Sequence, residues 1–376
     1  MTAKNAADTI MVARRIVIKI GSALIAKDGV ARQSWLDQLA ADIAERRATG
    51  QDIILVSSGA IALGRNQLGP DRPRKLEEKQ AAAALGQPLL MTAMAAAFAP
   101  HQLSVAQALL TLDDTESRRR WLNARATLET LLDAGAIPVI NENDSVATDE
   151  IRYGDNDRLA ARVAQMISAD ALVLLSDVDG LYTADPRVDA SAEHISALSE
   201  LTPEHDAMAG DINQNADLGS GGMVTKLAAA RIAQSAGCTT IITLGSRAKP
   251  IYALLEGARA TSIRSTLTPD KAREIWLRGH LTPEGSVQID DGAATALIEG
   301  ASLLPVGIVR IEGQFLRGAA VAIKTLNGET IAKGITAYGS EDATRIAGLQ
   351  SDQVEQELGY RGRPALVHRN DLVLER

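Results

Sequence analysis

Three stretches of this chain carry residue types that could do chemistry together. The first is Asn141-Glu142-Asn143-Asp144-Ser145, running on to Tyr153-Gly154-Asp155-Asn156-Asp157. It holds six carboxylates (Glu142, Asp144, Asp149, Glu150, Asp155, Asp157) against one cation, Arg152. Like charges this dense repel one another unless a cationic ligand, a metal or a lysine neutralises them. A solvated loop built on Asx-turns would use the same residues. The apolar run before it and the cations elsewhere in the chain favour a site. The second stretch is Arg14-Arg15-Ile16-Val17-Ile18-Lys19-Ile20, followed at once by Gly21-Ser22. An unpaired ammonium in a run that is otherwise buried is costly. Lys19 is either an edge-strand residue turned to water or a residue facing a crevice where an anion could sit, and its place near the strand's C-terminal end favours the crevice.

The third stretch is Leu218-Gly219-Ser220-Gly221-Gly222-Met223-Val224-Thr225-Lys226. Its glycines let a backbone approach phosphate oxygens closely, and Lys226, at the start of the following helix, supplies charge. The spacing is not Walker A, because Thr225 precedes the lysine, and not G-x-G-x-x-G, because Val224 stands where the last glycine belongs. A flexible surface loop is the plain alternative; the adjoining lysine and amphipathic helix favour phosphate.

Two lysines, a glycine-rich loop and an acidic loop on one sheet edge suit phosphoryl transfer. Charge builds on the transferred group and the bridging oxygen, and lysines placed there stabilise it. Asp157 could hold both lysines in orientation, and Asp144 with Asn156 could hold the ammonium of an amino-acid acceptor. A carboxylate acceptor is already ionised at neutral pH and needs no general base, consistent with the lack of histidine in these stretches.

The elements that must position these residues follow from apolar runs. Strands are expected at Arg14 to Ile20, Asp52 to Val56, Val105 to Leu112, Ala136 to Ile140, Ala171 to Leu175 and Thr239 to Thr243, the last ending the sheet. Helices are expected at Ser34 to Thr49 with Ser34 as N-cap, Asp114 to Ala134, and about Asp157 to Ala169. Ala81 to Phe98, interrupted by Gly86, Gln87 and Pro88, reads as two helical pieces. Alternating strands and helices predict an α/β fold, a mostly parallel sheet covered on both faces. Ligands then gather at the C-terminal strand ends, where Lys19, Ser58, Asp144 and Asp177 fall. The strand, small-residue turn and helix around Ser57-Ser58-Gly59-Ala60 would expose backbone N–H groups to an anion. Arg264 to Gly279 shows few patterns. From His280 short strands and turns (Ser286 to Ile289, Gly307 to Glu312, Ala320 to Thr325, Glu329 to Gly334) predict a small β-rich module, with a short helix at Ala294 to Glu299.

At 376 residues the chain is long enough for two domains. A net charge of -8 argues against a general nucleic-acid binder and against anionic membrane surfaces. The lone Cys238 can form neither an intrachain disulfide nor a cysteine-rich metal site. The first thirteen residues lack the apolar core of a signal peptide. No stretch convincingly reaches the roughly 20 apolar residues of a membrane span. A cytoplasmic location is expected.

Lys19-Ile20-Gly21-Ser22, Ser58-Gly59-Ala60-Ile61, Asn141-Glu142-Asn143-Asp144, Gly154-Asp155-Asn156-Asp157, Gly180-Leu181-Tyr182-Thr183-Ala184-Asp185-Pro186 and the Gly219 to Lys226 loop resemble the amino-acid kinase family, in particular its members that phosphorylate the side-chain carboxylate of glutamate. The resemblance implies an amino-acid kinase fold over residues 14–264, a linker over 265–279 and, over 280–376, the β-rich PUA-like domain that many bacterial members append. It implies that Lys19 and Lys226 flank the transferred phosphoryl group and that Asp157 organises them. It further implies that Ser58, Asp144 and Asn156 bind L-glutamate. Ser176, Asp177, Ser220, Gly221, Gly222, Met223, Val224, Thr225 and Lys226 would line the ATP site, with Mg2+ arriving on the nucleotide and no protein metal site. Ser57, Ser176 and Ser220 stand where the family commonly has threonine, and each keeps a hydroxyl. The product would be L-glutamyl 5-phosphate, in the first step of proline biosynthesis. Also implied are proline as feedback inhibitor, a homo-oligomer, and glutamyl phosphate reductase as the recipient of the product.

Related kinases act on aspartate, acetylglutamate, carbamate or nucleotide monophosphates. An acidic loop disfavours phosphate-bearing acceptors, and an acetylated one has no ammonium for Asp144. A rival function comes from the tail, since PUA folds often bind RNA. From His280 to Arg376 there are nine Lys/Arg and thirteen Asp/Glu. Phosphate contacts dominate RNA affinity, so this balance makes nucleic acid an unfavoured partner, with Arg361, Arg363 and Arg369 as the local exception.

Overall fold

Short apolar runs alternate with helices over the first two-thirds of the chain, in a computed structural model that describes residues 5–69, 75–146, 155–209 and 222–375. Contacts divide the chain into two compact units: Met1–Ser117 with Asn123–Asp270, and Arg118–Leu122 with Lys271–Arg376.

Among the described residues the first unit carries an eight-stranded sheet in the order Ala197–Leu198, Ala260–Ile263, Thr239–Leu244, Ala171–Ser176, Arg15–Ile20, Asp52–Ser57, Ile137–Glu142, Val105–Leu110. Neighbours run parallel except Thr239–Leu244 against Ala260–Ile263. Every position of Ala171–Ser176 is buried, as in a sheet covered on both faces. Arg15–Ile20 is central, with Lys19 level with Val56 on one side and Leu174 on the other. The chain leaves this strand toward Asp52–Ser57 and later returns to its opposite edge at Ala171–Ser176. The C-terminal ends of these strands therefore flank a topological switch point, where open sheets hold ligands.

Several elements differ from expectation. Ala81 to Phe98 is one continuous helix, Leu76–Phe98, with Pro88 inside it. Gly86 serves a helix crossing there: a Cβ on Gly86 would overlap the Ala60 carbonyl, and one on Gly64 would overlap the Ala82 carbonyl. Packing against the Ala60–Gly64 helix thus holds together a segment whose sequence reads as broken. By length and composition Leu76–His101 is apolar enough to cross a membrane, and half of its most apolar stretch is buried within the protein. The Ser34 to Thr49 helix begins at Gln33 with Arg32, not Ser34, at the N-cap. The Asp114 to Ala134 helix is two, Leu112–Glu116 and Arg118–Asp133, broken at Ser117. Thr111 and Asp114 form a capping box that starts the first of them, a signal hidden by placing the start too late. Thr239–Leu244 does not end the sheet, because Ala260–Ile263 and Ala197–Leu198 continue it.

One buried carboxylate is structural. Asp42 accepts from the backbone N–H groups of Ile251 at 2.6 Å and Tyr252 at 2.9 Å, capping the Pro250–Leu255 helix. Burial raises its pKa, against the lowering effect of these two hydrogen bonds.

The second unit has a five-stranded sheet in the order Ile308–Glu312, Gly285–Ile289, Ala320–Lys324, Thr330–Thr336, Val367–Leu374. Its core gathers Val287, Ile289, Val321, Ile323, Leu366 and Val367. The seemingly patternless 264–279 stretch contains most of the helix Pro269–His280, whose Leu277 packs with Leu122, Ile335 and Val373. The short helix expected at Ala294 to Glu299 is Asp291–Ile298, with Asp290 capping it through Ala293 N–H.

Candidate active site

Asp157 is fully buried at the start of the Asp155–Met166 helix, which packs over the central strands. Its Oδ1 lies 2.7 Å from Lys19 Nζ and its Oδ2 3.4 Å from Lys226 Nζ. The Thr225 hydroxyl donates to Asp157 Oδ2 at 3.0 Å and also reaches the Gly222 carbonyl at 2.8 Å. Lys19 and Lys226 are both buried, so neither ammonium is hydrated like a surface lysine. Burial pushes the Asp157 carboxyl up; the ammonium groups of Lys19 and Lys226, with the Thr225 hydroxyl, outweigh it and hold the carboxyl below the usual range. One carboxylate thereby fixes two cations, one from a strand end and one from the first turn of the Met223–Ser235 helix. Lys19 is not the edge-strand lysine turned to water that the sequence also allowed.

A second cluster lies beside the first. Asn156 precedes Asp157, and its Nδ2 donates to Ser58 Oγ at 2.7 Å and to Asn141 Oδ1 at 3.1 Å. Ser58 sits in the turn after Asp52–Ser57, with its backbone N–H bonded to the Ile20 carbonyl. The next residue, Gly59, has φ +109, and a Cβ there would press on Ile25. The turn therefore needs glycine to present Ser58 and start the Ala60–Gly64 helix. Asn141 ends the buried part of Ile137–Glu142. Asp144 follows on the loop, and burial pushes its carboxyl up to about 6. In this cluster the buried Asn156 Oδ1 has no hydrogen-bond partner among the described residues.

Ser176 ends its strand, its hydroxyl bonded to Asp177 Oδ1 at 3.0 Å. Gly222 is the N-cap of the Met223–Ser235 helix, whose first turn carries Met223, Val224, Thr225 and Lys226. Ser220 and Gly221 lie outside the described residues, as do Asp149, Glu150 and Arg152 of the acidic stretch. Among the described residues no group of three or more His, Cys, Asp or Glu is gathered to hold a metal ion.

Sequence reasoning missed Gln87. It is buried in the middle of the long helix, where its Oε1 accepts from Asn141 Nδ2 at 3.0 Å. No local signal marks a contact between residues 54 positions apart.

Residues 14–243 match the model of the amino acid kinase family, and residues 285–358 match the PUA domain. The chain belongs to the amino acid kinase family. Relatives in this family include the glutamate 5-kinase of Caulobacter vibrioides, 56% identical over 365 residues, covering 96% of this chain and 97% of that protein. The glutamate 5-kinase of Paramagnetospirillum magneticum is also 56% identical over 365 residues, covering 96% of this chain and 98% of that protein. The glutamate 5-kinase of Rhizobium rhizogenes is 50% identical over 377 residues, covering all of this chain and 95% of that protein. The second unit's five-stranded sheet corresponds to the PUA match, and the parallel sheet to the kinase match.

Proposed function

We propose that this chain transfers the γ-phosphoryl group of ATP to the side-chain carboxylate of L-glutamate, giving L-glutamyl 5-phosphate in the first step of proline biosynthesis. Near-full-length identity of 50–56% to glutamate 5-kinases supports the acceptor. The observation that carries the chemistry is the buried Lys19–Asp157–Lys226 arrangement.

Lys19 and Lys226 flank the transferred group and stabilise charge on its oxygens and on the leaving oxygen of ADP. Buried, water-poor ammonium groups act more strongly there than in bulk solvent, and Asp157 holds them so that little reorganisation is needed. The loop before Met223 and the Ser176-Asp177 tip hold the nucleotide. Mg2+ arriving with the nucleotide would supply further positive charge to the transferring phosphates. Asp144, ionised above about pH 6, and Asn156 Oδ1 receive the glutamate ammonium. The Ser58 hydroxyl, which already accepts from Asn156, turns its proton to a substrate oxygen. With the ammonium pinned, the side-chain carboxylate attacks in line without a general base.

The product is an acyl phosphate whose own amine can reach the acyl carbon, so rapid transfer to a glutamyl phosphate reductase belongs to the proposal. Proline inhibition, homo-oligomeric assembly and a cytoplasmic location complete it. An ATP- and magnesium-dependent hydroxamate assay with glutamate, aspartate and acetylglutamate side by side tests the acceptor. Hydroxamate from glutamate alone is expected. Equal turnover of aspartate would move the function to another acceptor on the same fold, since one methylene is worth only about 1–3 kcal/mol in a pocket.

A further inference from the structure

The acceptor cluster contains three primary amides in a row: Gln87, Asn141 and Asn156. A primary amide has an accepting oxygen on one side and a two-proton donor on the other, so each one's orientation constrains the next. Gln87 Oε1 accepts from Asn141 Nδ2 at 3.0 Å. On its other side Asn141 Oδ1 accepts from Glu142 N–H at 2.9 Å, a backbone donor that fixes this orientation together with Gln87, and from Asn156 Nδ2 at 3.1 Å. Asn156 Nδ2 also donates to Ser58 Oγ at 2.7 Å, which uses both of its protons. Among the described residues, two buried atoms of this row lack a partner: Gln87 Nε2 at one end and Asn156 Oδ1 at the other. If Asn141 were flipped, its Nδ2 would meet Asn156 Nδ2, donor against donor. Glu142 N–H would also face the Asn141 NH2 group and lose its acceptor.

We propose that Gln87 is a positioning residue for the acceptor amino acid, holding Asn141, together with Glu142 N–H, in the orientation that turns Asn156 Oδ1 to the substrate ammonium. The proposal rests on the glutamate kinase reading above and adds a residue from a helix otherwise devoted to packing. Two features make Gln87 suited to this. It is 8% exposed, so water cannot easily replace it as the acceptor for Asn141. Its neighbour Gly86 sits in the close crossing with the Ala60–Gly64 helix, where no Cβ would fit against the Ala60 carbonyl. The helix that carries Gln87 is thereby locked to the helix that follows Ser58.

Gln87→Met keeps the volume and removes the acceptor; Gln87→Glu keeps an accepting oxygen. The expected result for Gln87→Met is a KM for glutamate raised about tenfold or more, with the KM for ATP unchanged and kcat within about threefold, the scale of one lost polar contact to a charged group. Gln87→Glu is expected to recover most of that loss. A purely structural role would shift the melting temperature, or raise both KM values together, and would not separate the two variants. Slow hydrogen exchange of the Asn156 side-chain amide is expected in the wild-type chain labelled with 15N-asparagine. That readout needs no turnover and no variant, so it decides the orientation even if Gln87→Met does not fold or glutamate is not the acceptor. An Asn156 amide exchanging as fast as a free one, or an unchanged KM for glutamate in a folded Gln87→Met, would overturn the proposal. An absence of hydroxamate from glutamate in the wild type would instead overturn the assigned acceptor.

Discussion

At the scale of single residues, burial and charge pairing shift two aspartates in opposite directions. Asp157 is held ionised by Lys19 and Lys226 despite its burial, whereas Asp144 is pushed up to about 6. Only Asp144 therefore changes charge near neutrality. The KM for glutamate should rise as pH falls through about 6, where Asp144 becomes protonated and loses its attraction for the ammonium. Replacing it by asparagine should raise KM at pH 7.5 and flatten that dependence; a profile of kcat/KM against pH in both proteins checks this. The stability linkage has its own sign. The folded-state pKa lies above the ordinary 3.8, so the contribution of Asp144 to stability is full below 3.8 and is lost as pH rises through about 6. Denaturant midpoints without substrate should show a small fall over that window, absent in Asp144→Asn.

At the scale of elements, most of the sheet was legible because its strands are unbroken apolar runs. Arg14 to Ile20 and Ala171 to Leu175 were each placed within a residue of their observed ends. Elements shaped by tertiary contact were harder to see. Gly86, Gln87 and Pro88 read as a break, yet all three lie within one helix, where Gly86 meets the Ala60 carbonyl, Gln87 bonds to Asn141 and Pro88 is exposed. The strand Val367–Leu374 was missed because His368, Arg369 and Asn370 interrupt its apolar pattern. Of the site, the charged members stood out in the sequence because buried charge is rare, whereas the neutral amide Gln87 carried no such mark. Two substitutions test the packing. Gly64→Ala forces a Cβ onto the Ala82 carbonyl and should cost about 1–3 kcal/mol or more, read by urea denaturation. Asp42→Ala leaves the N–H groups of Ile251 and Tyr252 without their cap and should cost about 1–3 kcal/mol, with kcat unchanged. A loss of turnover without a loss of stability in Asp42→Ala would mean that the capped helix acts on the site.

At the scale of the whole molecule, the PUA match raises RNA as a partner, while the tail's charge opposes it. Of the three arginines noted in the sequence, Arg363 donates to the Leu122 carbonyl at 3.0 Å and so is partly engaged within the protein. A gel shift with the full chain and structured RNA at low salt should show no salt-sensitive complex. A complex that weakens steeply with salt would assign the tail a nucleic-acid role. One buried aspartate shared by Lys19 and Lys226 carries the proposed phosphoryl transfer. Its most direct test is the glutamate hydroxamate rate of Lys226→Ala at saturating ATP and glutamate, beside the wild type and with folding checked by circular dichroism. Loss of one electrostatic donor should lower kcat by about 10²–10³. A folded Lys226→Ala with kcat within a few-fold of wild type would contradict the assignment.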